Sequence, residues 1–139
     1  MIPIDPANAM VFVVEDNADN IWVLERALKK AGVTRFNARA SGRYLFQWQE
    51  ENPGRSIDLV LLDLHIPRED GYEVLQQIRS HPTLQSACVI AVTANVMPQD
   101  VERCRTSGFD GFIGKPTDPR RLPEQLLRIM AGEQVWEPR

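Results

Sequence analysis

Short apolar runs alternate along the chain with longer stretches in which apolar residues return every three or four positions. This alternation predicts parallel strands joined by crossover helices. Met10-Val11-Phe12-Val13-Val14 is the first run. Val23, Leu24, Ala27, Leu28 and Ala31 then recur at helical spacing behind the turn and capping residues Asp16 and Asn17, until Gly32 supplies a left-handed stop. A less apolar run at Arg35–Ala38 predicts an edge strand, and a helix from about Gly42 to Glu51 ends at the breaker Asn52-Pro53-Gly54. Leu59-Val60-Leu61-Leu62 is apolar without alternation, as a central parallel strand buried on both faces requires. Asp70 and Glu73 have the spacing of a helix cap, and Val74, Leu75 and Ile78 carry the third helix to about Ser80. Cys88–Val92 predicts the fourth strand, Pro98 opens a helix that stops by Gly108, and Phe112-Ile113 makes a short fifth strand. Asp118-Pro119 announces the last helix. Pro123 has no amide hydrogen to donate, so either its first turn is irregular or the regular helix starts near Leu122.

The pattern therefore describes an α/β domain with a doubly wound, five-stranded parallel sheet over residues 10–131. An extension, 1–9, precedes it, and a tail, 132–139, is too short to fold alone, so any output is expected to be an interaction. Composition narrows the picture further. With 139 residues, 43% apolar and 25% charged, the chain can bury one core and not two. A formal charge of −3 without a long basic run argues against nucleic-acid binding. No apolar run approaches the ~18 residues of a membrane span, and Met1–Pro6 lacks the features of a secretion signal, so a cytoplasmic protein is expected. Cys88 and Cys104 fall in apolar patterns and read as small buried hydrophobes rather than a disulfide pair.

In a doubly wound sheet, ligands bind beyond the carboxyl ends of the strands where strand order reverses. The strand ends here carry Glu15 and Asp16, Asp63, Thr93 and Ala94, and Lys115 followed by Pro116. Two carboxylates about 5 Å apart repel by roughly 3 kcal/mol at an effective dielectric near 20, so gathering three requires a cation or a raised pKa. Hard oxygen donors that leave room for water suit Mg²⁺. Asp63 has no comfortable packing role, because a lone acid ending a fully apolar strand needs a partner. Lys115 and Thr93 taken singly suit a solvated lysine and a helix cap, and Glu15 and Asp16 suit the positive end of a helix.

Glu15-Asp16-Asn17, Asp63-Leu64-His65-Ile66-Pro67, Asp70-Gly71, Thr93-Ala94 and Lys115-Pro116 together resemble, in order and spacing, the receiver domains of response regulators. The resemblance runs from about Met10 to Met130. It implies a flavodoxin-like receiver fold with strand order 2-1-3-4-5, and a single-domain regulator that is not an enzyme beyond accepting and slowly losing its own phosphoryl group. Asp63 is then the phosphoacceptor. Glu15, Asp16, Asp63 and the backbone carbonyl of His65 surround Mg²⁺, and Thr93 and Lys115 meet the phosphoryl oxygens. The physical logic stands beside the resemblance, since a carboxylate is a weak nucleophile that needs in-line positioning and charge neutralisation. The resemblance further implies a switch in which Thr93 moves toward the phosphoryl group and Phe112 turns inward. It places His65 and Asn95 where side chains modulate attack by water.

The implied donor is a sensor histidine kinase or a histidine phosphotransfer protein, and the downstream target is another protein. Trp22 falls off the buried stripe of the first helix and Ile21 lies at its margin, which sets both beside the acidic site as docking candidates. A monomer or a phosphorylation-linked homodimer fits this reading. Competing functions fail at the same strand ends. Residues 15–20 contain no glycine to cradle a dinucleotide, and His65 stands where a haloacid-dehalogenase-like phosphatase carries a second aspartate. A receiver-fold scaffold that is never phosphorylated is the remaining alternative.

Overall fold

Odd and even positions of the central strands face opposite layers, and both layers are apolar. Val11, Val13, Leu59, Leu61, Ile90 and Val92 point to one core, whereas Phe12, Val14, Val60, Leu62, Val89 and Ala91 point to the other, so the sheet splits the single interior expected of this chain into two apolar layers. This period of two, apolar on both sides, fits a sheet covered by helices on both faces. In the computed structural model, which describes residues 3–139, the order is β1 (Met10–Val14), α1 (Ala18–Lys30), β2 (Arg35–Arg39), α2 (Arg43–Glu51), β3 (Leu59–Leu62), β4 (His65–Ile66), β5 (Glu69–Asp70), α3 (Gly71–Ser80), β6 (Cys88–Thr93), α4 (Pro98–Ser107), β7 (Gly111–Gly114), α5 (Leu122–Met130) and β8 (Trp136–Glu137). Met1 and Ile2 of the expected extension lie outside the described residues.

The main sheet runs β2-β1-β3-β6-β7-β8 and all its pairings are parallel. Its first five members reproduce the expected order. The sixth is additional to the five strands expected and comes from the tail: Trp136 and Glu137 pair with Phe112 and Ile113. Residues α1 and α5 contribute to the first core, among them Leu24, Leu28, Leu122, Leu126 and Ile129. Leu45 of α2, Val74, Leu75 and Ile78 of α3 and Cys104 of α4 pack into the second. Leu61 is 1% exposed, so its truncation to alanine costs about 2 to 5 kcal/mol. Both cysteines are free and buried.

Local chemistry sets the boundaries. Asn17 caps α1 by accepting from the Asn20 amide at 3.0 Å, and Asp70 caps α3 by accepting from Tyr72 at 2.8 Å. Gly32 (φ 94°) and Gly108 (φ 108°) turn the chain out of α1 and α4. The regular part of α5 begins at Leu122, so Pro123 sits in its first turn where no amide bond is lost. The short β4–β5 ribbon pairs His65 with Asp70 and Ile66 with Glu69 through a turn in which Arg68 adopts φ 66°. No helix of the described residues is long and apolar enough to cross a membrane.

Candidate functional site

Strand order reverses between β1 and β3, and the residues that follow these strands are fixed by continuation of the ladder. Glu15 N donates to Arg39 O at 3.0 Å, Asp63 N to Val14 O at 3.0 Å, and Lys115 N to Thr93 O at 2.8 Å. The backbone thus holds four functional positions at one rim before any side chain interacts. Glu15, Asp16 and Asp63 each offer a carboxylate oxygen within 4.8 Å of the others. Glu15 and Asp63 are buried and Asp16 is exposed, so the cluster has a wet side.

Lys115 crosses the intervening strand β6 to join the cluster. Its Nζ lies 2.9 Å from Asp63 Oδ2 and also pairs with Glu15 Oε1. The other oxygens are engaged by main chain: Asp63 Oδ1 accepts from His65 N at 2.9 Å, and Glu15 Oε2 accepts from Asp16 N at 3.0 Å and Asn17 N at 3.3 Å. Burial raises the Glu15 carboxyl, and the nearby Asp63 charge adds to that effect against the Lys115 bond. For Asp63 burial acts in the same direction, but the His65 amide and Lys115 outweigh it and the carboxyl is lowered. Burial pulls Lys115 down, yet its bonds to Glu15 and Asp63 leave it raised. The direction for the pair is that Asp63 holds its charge while Glu15 gives way first, because Asp63 receives a charge-assisted amide bond in addition to the ammonium.

Thr93 is completely buried at the end of β6, and its Oγ1 accepts from Asn95 N at 3.2 Å. His65 and Asn95 are exposed and line a common cavity of about 270 Å³ with Asp70, Tyr72 and Arg103. Sequence reading placed them near Asp63 without foreseeing that they share a cavity. Phe112, the residue expected to turn inward on phosphorylation, is 0% exposed within the second core. Trp22 is 61% exposed with the Arg26 guanidinium 5.2 Å from its ring centroid, and Ile21 beside it is half-buried. The Lys115–Glu15 contact was missed. No local signal marks it, because 100 residues separate the partners.

The donor set fits a hard divalent cation. Three carboxylates face one ammonium, the uncompensated charge is negative, and exposed Asp16 leaves space for water ligands. Fold and rim together define a doubly wound domain with an acidic pocket at its topological switch point. Residues 11–127 match the family described as the response regulator receiver domain, and the chain belongs to that family.

Among curated relatives, a segment of the peroxide stress-activated histidine kinase mak1 of Schizosaccharomyces pombe is 34% identical over 116 residues. That match takes in 81% of this chain and 7% of the kinase, and the chain likewise spans only 8% of the hybrid signal transduction histidine kinase L of Dictyostelium discoideum. The polar-differentiation response regulator DivK of Brucella ovis is 32% identical across 84% of this chain and 91% of its own length. Among solved structures, the receiver domain of sensor histidine kinase PA1611 from Pseudomonas aeruginosa superimposes with a TM-score of 0.72 at 29% identity. It covers 91% of this chain and 100% of its own, and its structure has a magnesium ion coordinated in the active-site cleft. The chemotaxis response regulator CheY4 of Vibrio cholerae shares the fold, with a TM-score of 0.74 at 21% identity over 87% of this chain and 98% of its own.

Proposed function

We propose that this receiver domain accepts a phosphoryl group on Asp63 from the phosphohistidine of a sensor histidine kinase or a histidine phosphotransfer protein, and signals by altered protein contacts. The observation that carries the reading is the charged Asp63 at the reversal point of the sheet, with Lys115 2.9 Å away and two further carboxylates within 4.8 Å. In the transfer, an Asp63 carboxylate oxygen forms the new bond to phosphorus while the phosphorus–nitrogen bond breaks, and the imidazole leaves with the electron pair. Lys115, already seated on Asp63, is positioned to compensate the added phosphoryl charge. Thr93 presents its hydroxyl at the same rim.

Glu15, Asp16, Asp63 and the His65 carbonyl are the groups that would hold Mg²⁺. When bound, the ion neutralises oxygen charge on the transferring group. Beyond this self-catalysed acceptance and slow loss of the phosphoryl group, no enzymatic activity is assigned. Cytoplasmic location and Trp22-centred docking of the donor belong to the same proposal. The alternative of an unphosphorylated scaffold explains neither the lowered Asp63 carboxyl nor the gathering of three acids. Incubation with acetyl phosphate and Mg²⁺, read by intact mass, should add one phosphoryl group to the wild type and none to Asp63→Asn. Equal incorporation by both proteins would sink the assignment.

A further inference from the structure

The segment that supplies the sixth strand is held by devices unlike those of the other five. Chain direction changes at Gly132 (φ 93°), beyond the end of α5, and the following residues cross the outer edge of β7. Val135 is fully buried in the first core and its carbonyl accepts from Phe112 N at 2.8 Å. Glu137 is gripped by three side chains on one flank: Arg121 at 3.0 Å, Gln125 at 2.9 Å and Arg128 at 2.7 Å. On the other flank the Arg105 guanidinium of α4 stands 4.3 Å from the centroid of the Trp136 ring. Beneath the segment β7 has glycine at both ends. A Cβ at Gly111 would lie 2.7 Å from the Val135 carbonyl oxygen, and one at Gly114 would collide with the Pro138 carbonyl.

Apart from Val135, which belongs to the first core, these are recognition elements. A sheet edge offers main-chain bonds, glycines admit a foreign backbone, an apolar slot takes Val135, a cation receives an aromatic face, and a three-donor pocket takes a carboxylate. Strand addition to a sheet edge uses this combination of main-chain bonds and side-chain pockets. The pairing itself spans two residues, and Trp136, Glu137 and Pro138 all remain half-exposed. Partly exposed ion pairs hold weakly and are screened by salt.

We propose that Val135–Pro138 is a displaceable strand seated in cis on a groove of β7, α4 and α5 that takes an extended, acidic-aromatic segment of a partner protein. Arg105, Arg121 and Arg128 make the groove basic, which selects a partner segment that carries an apolar residue, an aromatic and a carboxylate in consecutive positions. The chain's own segment competes for the groove, so partner affinity is set by how readily β8 lifts. The proposal does not depend on phosphorylation.

Amide hydrogen exchange of the full chain reads the lifting directly. The Phe112 amide, bonded to Val135, should exchange at least about tenfold faster than the amides of β3, by local opening. Glu137→Lys should speed Phe112 by a further factor of about ten while the β3 amides keep their rates. A labelled peptide with the sequence of Gly132–Arg139 should bind the Glu137→Lys chain at least about tenfold tighter than the wild type, and the same peptide with lysine for its glutamate should bind neither. If Phe112 exchanges only with global unfolding in the wild type, β8 is a permanent strand and the proposal is overturned, whether or not the variant folds. Equal peptide affinity for both chains overturns it as well. A wild-type dimer in sedimentation with a protected Phe112 would reassign the groove to a second copy and end the cis arrangement.

Discussion

The Lys115 ammonium lies 2.9 Å from Asp63 Oδ2 although β6 separates the strands that carry them, and the same ammonium reaches Glu15 at the end of β1. One cation therefore ties the carboxyl ends of β1, β3 and β7. Replacing Lys115 with Met leaves two buried carboxylates without their counter-charge. We predict a loss of about 1 to 3 kcal/mol at neutral pH in chelator, since breaking a buried pair strands its partner. The deficit shrinks with acid: without the lysine both folded-state carboxyls rise, so protonation restores stability as pH falls. Urea unfolding at neutral and mildly acidic pH tests this, and a deficit that stays constant across that range would refute it.

Asp16 is the exposed member of the acid cluster and closes no bond with Lys115. Asp16→Asn removes like-charge repulsion, so in chelator the variant should be at least as stable as the wild type. With Mg²⁺ the order should invert. A ligand present at 100 times its dissociation constant adds about 2.7 kcal/mol to the state that binds it, and the variant should lose most of that gain. Thermal melts with and without MgCl₂ give the comparison, and equal Mg²⁺ shifts would remove Asp16 from the metal site.

Thr93 is fully buried, and its hydroxyl holds the Asn95 amide at 3.2 Å. Thr93→Ala should still take up phosphate from acetyl phosphate, while the amides from Ala94 to Met97 should cease to shift on phosphorylation. Nitrogen–proton correlation spectra of both proteins, with and without beryllofluoride, read the response. Unaltered shifts in the variant would place the switch elsewhere.

Trp22 is 61% exposed, so Trp22→Ala should cost under about 1 kcal/mol of stability. Transfer from a cognate kinase should slow far more than transfer from acetyl phosphate, which requires no docking surface. Equal slowing with both donors would make Trp22 a support of the site rather than a contact.

Glu137 is held below the ordinary carboxylate range by its Gln125 bond and by Arg128, against a smaller opposing effect of burial. A depressed folded-state pKa adds stability above the unfolded value near 4.5, and that stability disappears as pH falls through the folded value. Glu137→Gln should therefore destabilise the chain by about 1 kcal/mol or less at neutral pH, after allowance for solvent screening, and by nothing in acid. Chemical unfolding at the two conditions measures it.

Much of this was legible because burial and chemistry coincide. Leu59–Leu62 could only be a central strand, and an acid directly after it had to be either functional or paired. Arg35–Arg39 was harder to read, for an edge strand with exposed arginines at both ends carries little apolar pattern; ladder bonds to β1 decide it. Strand β8 was not legible at all. Its two residues have no periodicity, and what fixes them is the reach of Arg121, Gln125 and Arg128 from 9 to 16 residues away. The β4–β5 ribbon failed for a related reason: Pro67-Arg68 signals a turn, but only pairing across it makes the flanks strands.

At the end of the sheet remote from Asp63, the guanidinium of Arg79 donates to Gln85 O, Ala87 O, Gly108 O and the Asp110 carboxylate, at 2.7 to 3.1 Å. Asp110 in turn accepts from Val89 N at 2.9 Å. One side chain thus fastens the loop before β6 to the loop before β7, at the amino ends of the strands that bear Thr93 and Lys115 at their carboxyl ends. Since the ladder runs on to the bond between Lys115 N and Thr93 O, the two strands form one stiff plank from end to end, and a phosphoryl group at the rim would be felt by the side chains and loops beyond it rather than by the strands.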